Sequence, residues 1–180
     1  MNVKNDFESI FYSEETLKER VAEMGAQITS DYKDKNPLII GVLKGSFVFL
    51  ADLVRKIDLR CEIRFVAASS YGQGATSHGV VDIMKSLDFD VAGRDVLLIE
   101  DILDTGTTLT ALKKFIGGLN PNSIKICTLL DKTSRRKVKI DADYAGFDCP
   151  DAFVVGYGLD YAERYRNLPY IATLKPEIYS

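Results

Sequence analysis

Glu100, Asp101 and Asp104 crowd into one short stretch, and Thr105-Gly106-Thr107-Thr108 follows without a break. Carboxylates at this density can hold a divalent cation or accept hydrogen bonds from hydroxyl groups. A threonine- and glycine-rich turn that opens a helix offers a phosphate its backbone N–H groups, its hydroxyls and the positive end of the helix. Placed side by side, the two halves conflict, because three carboxylates repel a phosphate. A sugar phosphate removes the conflict. The carboxylates then take the sugar hydroxyls or Mg²⁺, and the turn takes the phosphate. A nucleoside triphosphate site would bring a lysine in the pattern GxxxxGK[ST], and this stretch has none. The same residues could also do no more than complement the dipole of the helix that begins there.

Four further segments carry groups suited to chemistry. Leu43-Lys44-Gly45-Ser46 places a lysine and a glycine directly after an apolar run. Leu130-Asp131-Lys132 does the same with a lysine, whose ammonium only donates and so suits a carbonyl oxygen. Phe153-Val154-Val155-Gly156-Tyr157-Gly158-Leu159-Asp160-Tyr161 is followed by Arg166, whose planar, permanently charged fork suits a phosphate. The stretch from Ser69 to Gly79 is rich in small residues and long enough to be a lid over a site. Read singly, these segments also fit a solvated lysine, a basic patch, a core strand and a surface loop.

The elements that must position these residues follow from hydrophobic periodicity. Leu17, Val21, Met24 and Ile28 recur at helical spacing, predicting a helix from Glu14 to Tyr32 capped by Ser13. Leu38–Leu43 is apolar throughout, as expected of a parallel strand buried on both faces. A helix from Phe47 to Ile57, with Ser46 as its cap, and a strand from Ile63 to Ala68 come next. Val80 to Lys85 reads as a short returning strand, Val96–Ile99 as a third buried strand, with the three carboxylates just beyond it. A helix from Thr107 ends at Gly117-Gly118, and strands are expected over Ile124–Leu130 and Ala152–Val155. Alternating strands and helices imply a mainly parallel twisted sheet flanked by helices. Ligands of such sheets sit beyond the carboxyl ends of the strands, where the candidate residues cluster.

Length and composition set bounds. The chain has 180 residues and a net charge of −3, which fits one domain and gives no general attraction to nucleic acid or anionic membrane. No apolar run is long enough to span a bilayer, and Met1 to Glu8 lacks the apolar segment of a secretory signal. Cys61, Cys127 and Cys149 are odd in number and form no CxxC pair; Cys61 and Cys127 border or lie within apolar runs, so buried, reduced thiols are expected there, and with them a cytoplasmic protein.

The string Val96 to Thr108 resembles the signature of the type I phosphoribosyltransferases, and the other segments resemble their hypoxanthine-guanine group. The resemblance runs in patches from Leu38 to Leu174 and is weak over the first helix. It implies a single domain over 1–180 with a core at about 37–147 and a small hood from about 1–36 plus 148–180. It implies that Glu100 and Asp101 serve the ribose hydroxyls and Mg²⁺, with Asp160 near a second Mg²⁺. Asp104 to Thr108 would frame the 5′-phosphate, and Lys44, Gly45 and Arg166 would meet pyrophosphate. Lys132 would contact the purine 6-oxo group, Phe153 would stack on the base, and the Val154 backbone would bond its edge. Ser70 and Tyr71 match the catalytic lid, and Asp104 is the implied proton acceptor. Some relatives carry lysine at the place of Thr107, which leaves only its backbone N–H as an implied phosphate contact.

The implied reaction joins hypoxanthine or guanine to the ribose of phosphoribosyl pyrophosphate, in an enzyme that forms a homodimer or homotetramer. Three alternatives stay open on these residues. One is a phosphoribosyltransferase for another base, xanthine above all, since Lys132 disfavours adenine. Another is a regulatory RNA-binding protein on the same fold, which would rely on the basic segment Lys132 to Lys139. The third is a Rossmann enzyme, but no strand-to-helix turn carries GxGxxG.

Overall fold

The computed structural model describes residues 3–67 and 88–179. Its main sheet is built from β2 (Leu38–Leu43), β3 (Glu62–Ala67), β4 (Asp95–Leu103), β5 (Ser123–Asp131) and β6 (Tyr144–Asp148). The order is β3-β2-β4-β5-β6 and every pairing is parallel. Alternate residues of the central strands feed two cores. Ile39, Leu97 and Ile99 face one cluster, whereas Leu38, Ile40, Val96 and Leu98 face the other. Each such side chain stabilises the fold by about 1.5–3 kcal/mol through burial, which is why these strands read as unbroken apolar runs.

Helix α1 (Glu14–Asp31) and helix α2 (Phe47–Val54) cover the first face. Leu17, Val21, Met24 and Ile28 of α1 join Phe49, Leu50 and Leu53 of α2 in that cluster. Helix α3 (Thr107–Gly117) covers the other face with Leu109, Leu112 and Ile116. The Thr16 N–H bonds the expected cap Ser13 at 3.2 Å. Ser46 stands at the N-cap position of α2, as expected, but its side chain makes no capping bond. Its buried hydroxyl donates to the Val42 carbonyl at 2.6 Å, tying the turn after β2 back onto the strand.

A second, antiparallel sheet has the order β1-β8-β7, from β1 (Phe7–Tyr12), β7 (Val154–Val155) and β8 (Ile171–Leu174), with a short helix α4 (Pro176–Tyr179) after it. Within the segments expected to form the hood, β1 meets β8 and β7 as a small sheet, whereas α1, which the hood was expected to include, packs on the main sheet.

Three expectations are corrected. The candidate strand at Ala152–Val155 belongs to the small sheet, because Val154 and Val155 pair with Thr173 and Ala172. The fifth main-sheet strand is β6, which the sequence reading missed. β4 does not end at Ile99. Its pairing with β5 continues through Glu100↔Thr128 to Leu103↔Asp131, so Glu100 and Asp101 sit within the strand and only Asp104 follows it. The expected lid residues Ser70 and Tyr71, and the short strand at Val80 to Lys85, lie outside the described residues.

Candidate active site

The chain leaves β2 in one direction to make β3 and later leaves β4 in the other to make β5. Sheets of this kind bind ligands where the order reverses, here beyond the carboxyl ends of β2 and β4. Lys44 and Gly45 follow β2, and Glu100, Asp101 and Asp104 end or follow β4. The Leu43–Lys44 peptide is cis. Gly45 packs so tightly that a Cβ there would overlap the Asp101 carboxylate. On its other side Gly158, at φ +102, presses on the Gly45 carbonyl, and a Cβ on Gly158 would overlap that oxygen. These contacts bind three distant segments into one wall.

Glu100 and Asp101 are half-buried neighbours on that wall. Burial, and then the adjacent Asp101 charge, pushes the Glu100 carboxyl well above the ordinary carboxylate range. Burial pushes Asp101 up too, opposed by its hydrogen bonds with Glu100 and the backbone and by the Arg166 charge. The Ile102 N–H donates to Asp101 Oδ1 at 2.9 Å. Two poorly hydrated carboxylates side by side are unfavourable unless a cation joins them. That donor set fits Mg²⁺, which takes one or two carboxylates and completes its shell with water and phosphate oxygens. Among the described residues no three His, Cys, Asp or Glu side chains form a closed cage.

Asp104 is placed differently. Its Oδ1 is buried and has no hydrogen-bond partner among the described residues, with Arg135 Nε 3.8 Å away. The turn beyond it pivots on Gly106, at φ +80, which leads into α3. A Cβ on Gly106 would crowd Ile140, Val138 and Arg136, so the segment after β5 backs the turn. The Lys137 N–H bonds the Thr105 carbonyl at 3.0 Å, and the Thr107 N–H reaches Thr105 Oγ1 at 3.4 Å. Thr108 lies in the first turn of α3. The turn thus presents a helix N-terminus beyond the carboxyl end of β4.

Lys132 is not part of a solvated basic patch. It is only 5% exposed, and its Nζ donates to the Ala152 carbonyl at 2.8 Å and meets Asp151 Oδ1 at 3.2 Å. Arg136 is also drawn in, paired with Asp131. Next to Ala152, Phe153 stacks on Tyr179 with ring centroids 4.7 Å apart and meets Tyr161 edge-on at 5.6 Å. The Phe153 carbonyl accepts from the Leu174 N–H at 2.9 Å. Alternation of the ladder therefore turns the Val154 N–H and C=O away from β8, to the open side of an edge strand.

Arg166 donates to the Gly158 carbonyl and pairs with Asp160, both at 2.9 Å. Asp160 also accepts from the Glu163 N–H at 2.9 Å, so its carboxylate is engaged by this loop rather than joined to Glu100 and Asp101. Sequence reasoning missed Glu163, Arg135 and Tyr179. No local signal marks them, because each is defined by what it touches across the fold. The three cysteines are free; Cys127 is buried as expected, whereas Cys61, also expected to be buried, is only half-buried just before the edge strand β3, and Cys149 is buried.

A phosphoribosyl transferase domain matches residues 9–162. The chain is 55% identical over 177 residues to the hypoxanthine-guanine phosphoribosyltransferase of Bacillus subtilis, covering 98% of each. It is 52% identical over 178 residues to the enzyme of that name from Streptococcus agalactiae, covering 99% of each. A crystal structure of a hypoxanthine phosphoribosyltransferase from Staphylococcus aureus superposes with a TM-score of 0.93 at 49% identity, covering 100% of this chain and 99% of that one. The chain belongs to the phosphoribosyltransferase family. Its fold and its place among these relatives agree with the type I architecture expected from the sequence.

Proposed function

We propose that the chain is a purine-salvage enzyme that transfers the 5-phosphoribosyl group of phosphoribosyl pyrophosphate to N9 of hypoxanthine or guanine, giving IMP or GMP and pyrophosphate. The observation that carries this reading is the buried Lys132. The Lys132 ammonium, held on the Ala152 carbonyl two residues before Val154, donates to the 6-oxo group while the Val154 backbone bonds the rest of the purine edge, a reading supported by that burial and by the unpaired edge of Val154. Phe153 offers the base an aromatic face, and Tyr179 supports that ring.

The ribose hydroxyls lie against Glu100 and Asp101, and the 5′-phosphate sits on the turn Asp104 to Thr108, with N–H groups at the start of α3. Lys44, the Gly45 backbone and Arg166 hold pyrophosphate. When bound by Glu100 and Asp101, Mg²⁺ supplies positive charge that offsets the substrate's phosphates; Asp160, paired with Arg166, stands nearer the pyrophosphate end. In the reaction the bond from the anomeric carbon to pyrophosphate oxygen breaks as the purine N9 bond forms. The proton of the purine nitrogen passes to Asp104, whose Oδ1 has no hydrogen-bond donor among the described residues and only the Arg135 guanidinium 3.8 Å away.

The chain works as a homodimer or homotetramer; Ile63 and Phe65 on the edge strand β3 and Phe47 at the start of α2 are exposed apolar groups. Work in the cytoplasm agrees with free thiols and with the lack, among the described residues, of a helix long and apolar enough to cross a membrane. RNA binding is disfavoured by the internal pairing of Lys132 and Arg136, which removes two cations from the basic segment.

Pyrophosphate release should be measured with hypoxanthine, guanine, xanthine and adenine, with and without Mg²⁺. Turnover of the 6-oxopurines and not adenine is expected, and turnover of adenine alone would end this reading. Asp104→Asn should lower kcat by about 10²–10⁴-fold. An unimpaired Asp104→Asn enzyme would cancel the proton-acceptor role while leaving the substrate assignment standing.

A further inference from the structure

Glu163 touches both cations assigned to pyrophosphate. Its Oε1 lies 3.2 Å from Lys44 Nζ, and its Oε2 lies 3.3 Å from Arg166 Nη2. Lys44 comes from the turn after β2 and Arg166 from the loop before β8, so one carboxylate links two remote segments. The local backbone puts it there. The Glu163 N–H is held by Asp160 at 2.9 Å, and Ala162, Glu163 and Tyr165 all take left-handed conformations, at φ 51, 61 and 75. Non-glycine residues take that conformation rarely, and a run of them persists where the surroundings over-determine it. Arg166 is fixed independently, through Gly158 and Asp160, so it keeps its place whether or not Glu163 is bound to it.

We propose that the Glu163 carboxylate is an internal competitor for pyrophosphate, spanning Lys44 and Arg166 in the free enzyme and giving way when a diphosphate takes those cations. This rests on the assignment of Lys44 and Arg166 to pyrophosphate. A carboxylate and a diphosphate need the same N–H donors, and both are anionic, so they cannot share them without repulsion. Lys44 and Glu163 have side chains 69% and 65% exposed, so the contact is well hydrated and easily broken. Each such surface pair shifts an equilibrium by roughly two- to fivefold, enough to set affinity without blocking it. The device lowers the affinity of the site for the diphosphate of the substrate and, equally, for the released product. It thereby speeds product departure.

Inorganic pyrophosphate, with Mg²⁺, should be titrated calorimetrically into the wild-type enzyme, Glu163→Gln and Glu163→Ala, and KM measured for phosphoribosyl pyrophosphate and hypoxanthine. Both variants should bind pyrophosphate roughly three- to tenfold more tightly and show a lower KM for phosphoribosyl pyrophosphate, with the KM for hypoxanthine unchanged. The gain should shrink as salt is raised. Unchanged or weaker pyrophosphate binding in both variants would overturn the proposal. Arg166→Lys serves as the separate check on the underlying assignment. If it binds pyrophosphate like the wild type, the assignment itself is wrong. If it binds weakly while the Glu163 variants bind no more tightly, only the competitor role fails.

Discussion

The backbone of Gly45 lies directly against the carboxylate of Asp101, leaving no space for a Cβ between them. The turn after β2 and the acidic end of β4 are thereby held at one fixed separation. Gly158 clamps the same residue from the other side through the Gly45 carbonyl. A cation-bearing turn, an acidic strand end and the loop that carries Arg166 thus share a single contact point.

Gly45→Ala forces that contact apart. The methyl group would displace Asp101 or the whole turn, and overpacking of this kind costs about 1–3 kcal/mol. Turnover should fall at least about tenfold, since misplacement by about 1 Å can cost far more. Denaturant unfolding should show the stability loss, and steady-state kinetics the loss of turnover. Wild-type KM and kcat would show that the close approach has no functional role.

Lys132→Gln separates base recognition from the handling of the sugar phosphate. The shorter neutral side chain cannot restore the geometry around the Ala152 carbonyl and loses the pair with Asp151. KM for hypoxanthine and guanine should rise at least about tenfold, in line with loss of a charged hydrogen bond of about 1.5–3 kcal/mol. KM for phosphoribosyl pyrophosphate should stay near the wild-type value. A rise in both would place Lys132 in the general stability of the site.

The pair Glu100 and Asp101 makes stability of the free enzyme depend on pH. The folded state raises both carboxyls above their ordinary range, so it binds protons more tightly than the unfolded chain. The stabilising contribution is complete below the ordinary carboxylate pKa and is lost as pH rises through the raised values. Glu100→Gln removes the larger part of this dependence. At neutral pH it should raise Tm by a few degrees, about what a gain near 1 kcal/mol gives in a chain of this size. Below the ordinary carboxylate range the two proteins should melt alike. A Tm difference constant across pH would contradict the origin assigned to it.

Much of the arrangement was legible along the chain. β2 and the Val96–Ile99 part of β4 announce themselves because strands buried on both faces are apolar throughout, and β5 through its largely apolar run from Ile124 to Leu130. α1 and α3 are marked by helical spacing, and α3 also by the glycines at its end. The elements that escaped are those with weak local patterns. β1 has exposed residues at its centre and β6 is a half-buried edge strand, while β7 was expected as a strand but its two residues could not say which sheet it joins. The end of β4 was misjudged because charged residues look like a loop, whereas backbone pairing with β5 holds Glu100 and Asp101 in the strand.

By itself the sequence determined the family, the parallel sheet and the residue types that handle a sugar phosphate, because hydrophobic periodicity and short contiguous motifs are local properties. Only the tertiary structure decided that Glu163 bridges Lys44 and Arg166, that Lys132 is buried on the Ala152 carbonyl, and that Gly45 is wedged between Asp101 and Gly158. Those are contacts between segments far apart in the chain. Their existence depends on how two sheets and their loops pack in space, and no spacing along a single stretch of residues encodes that.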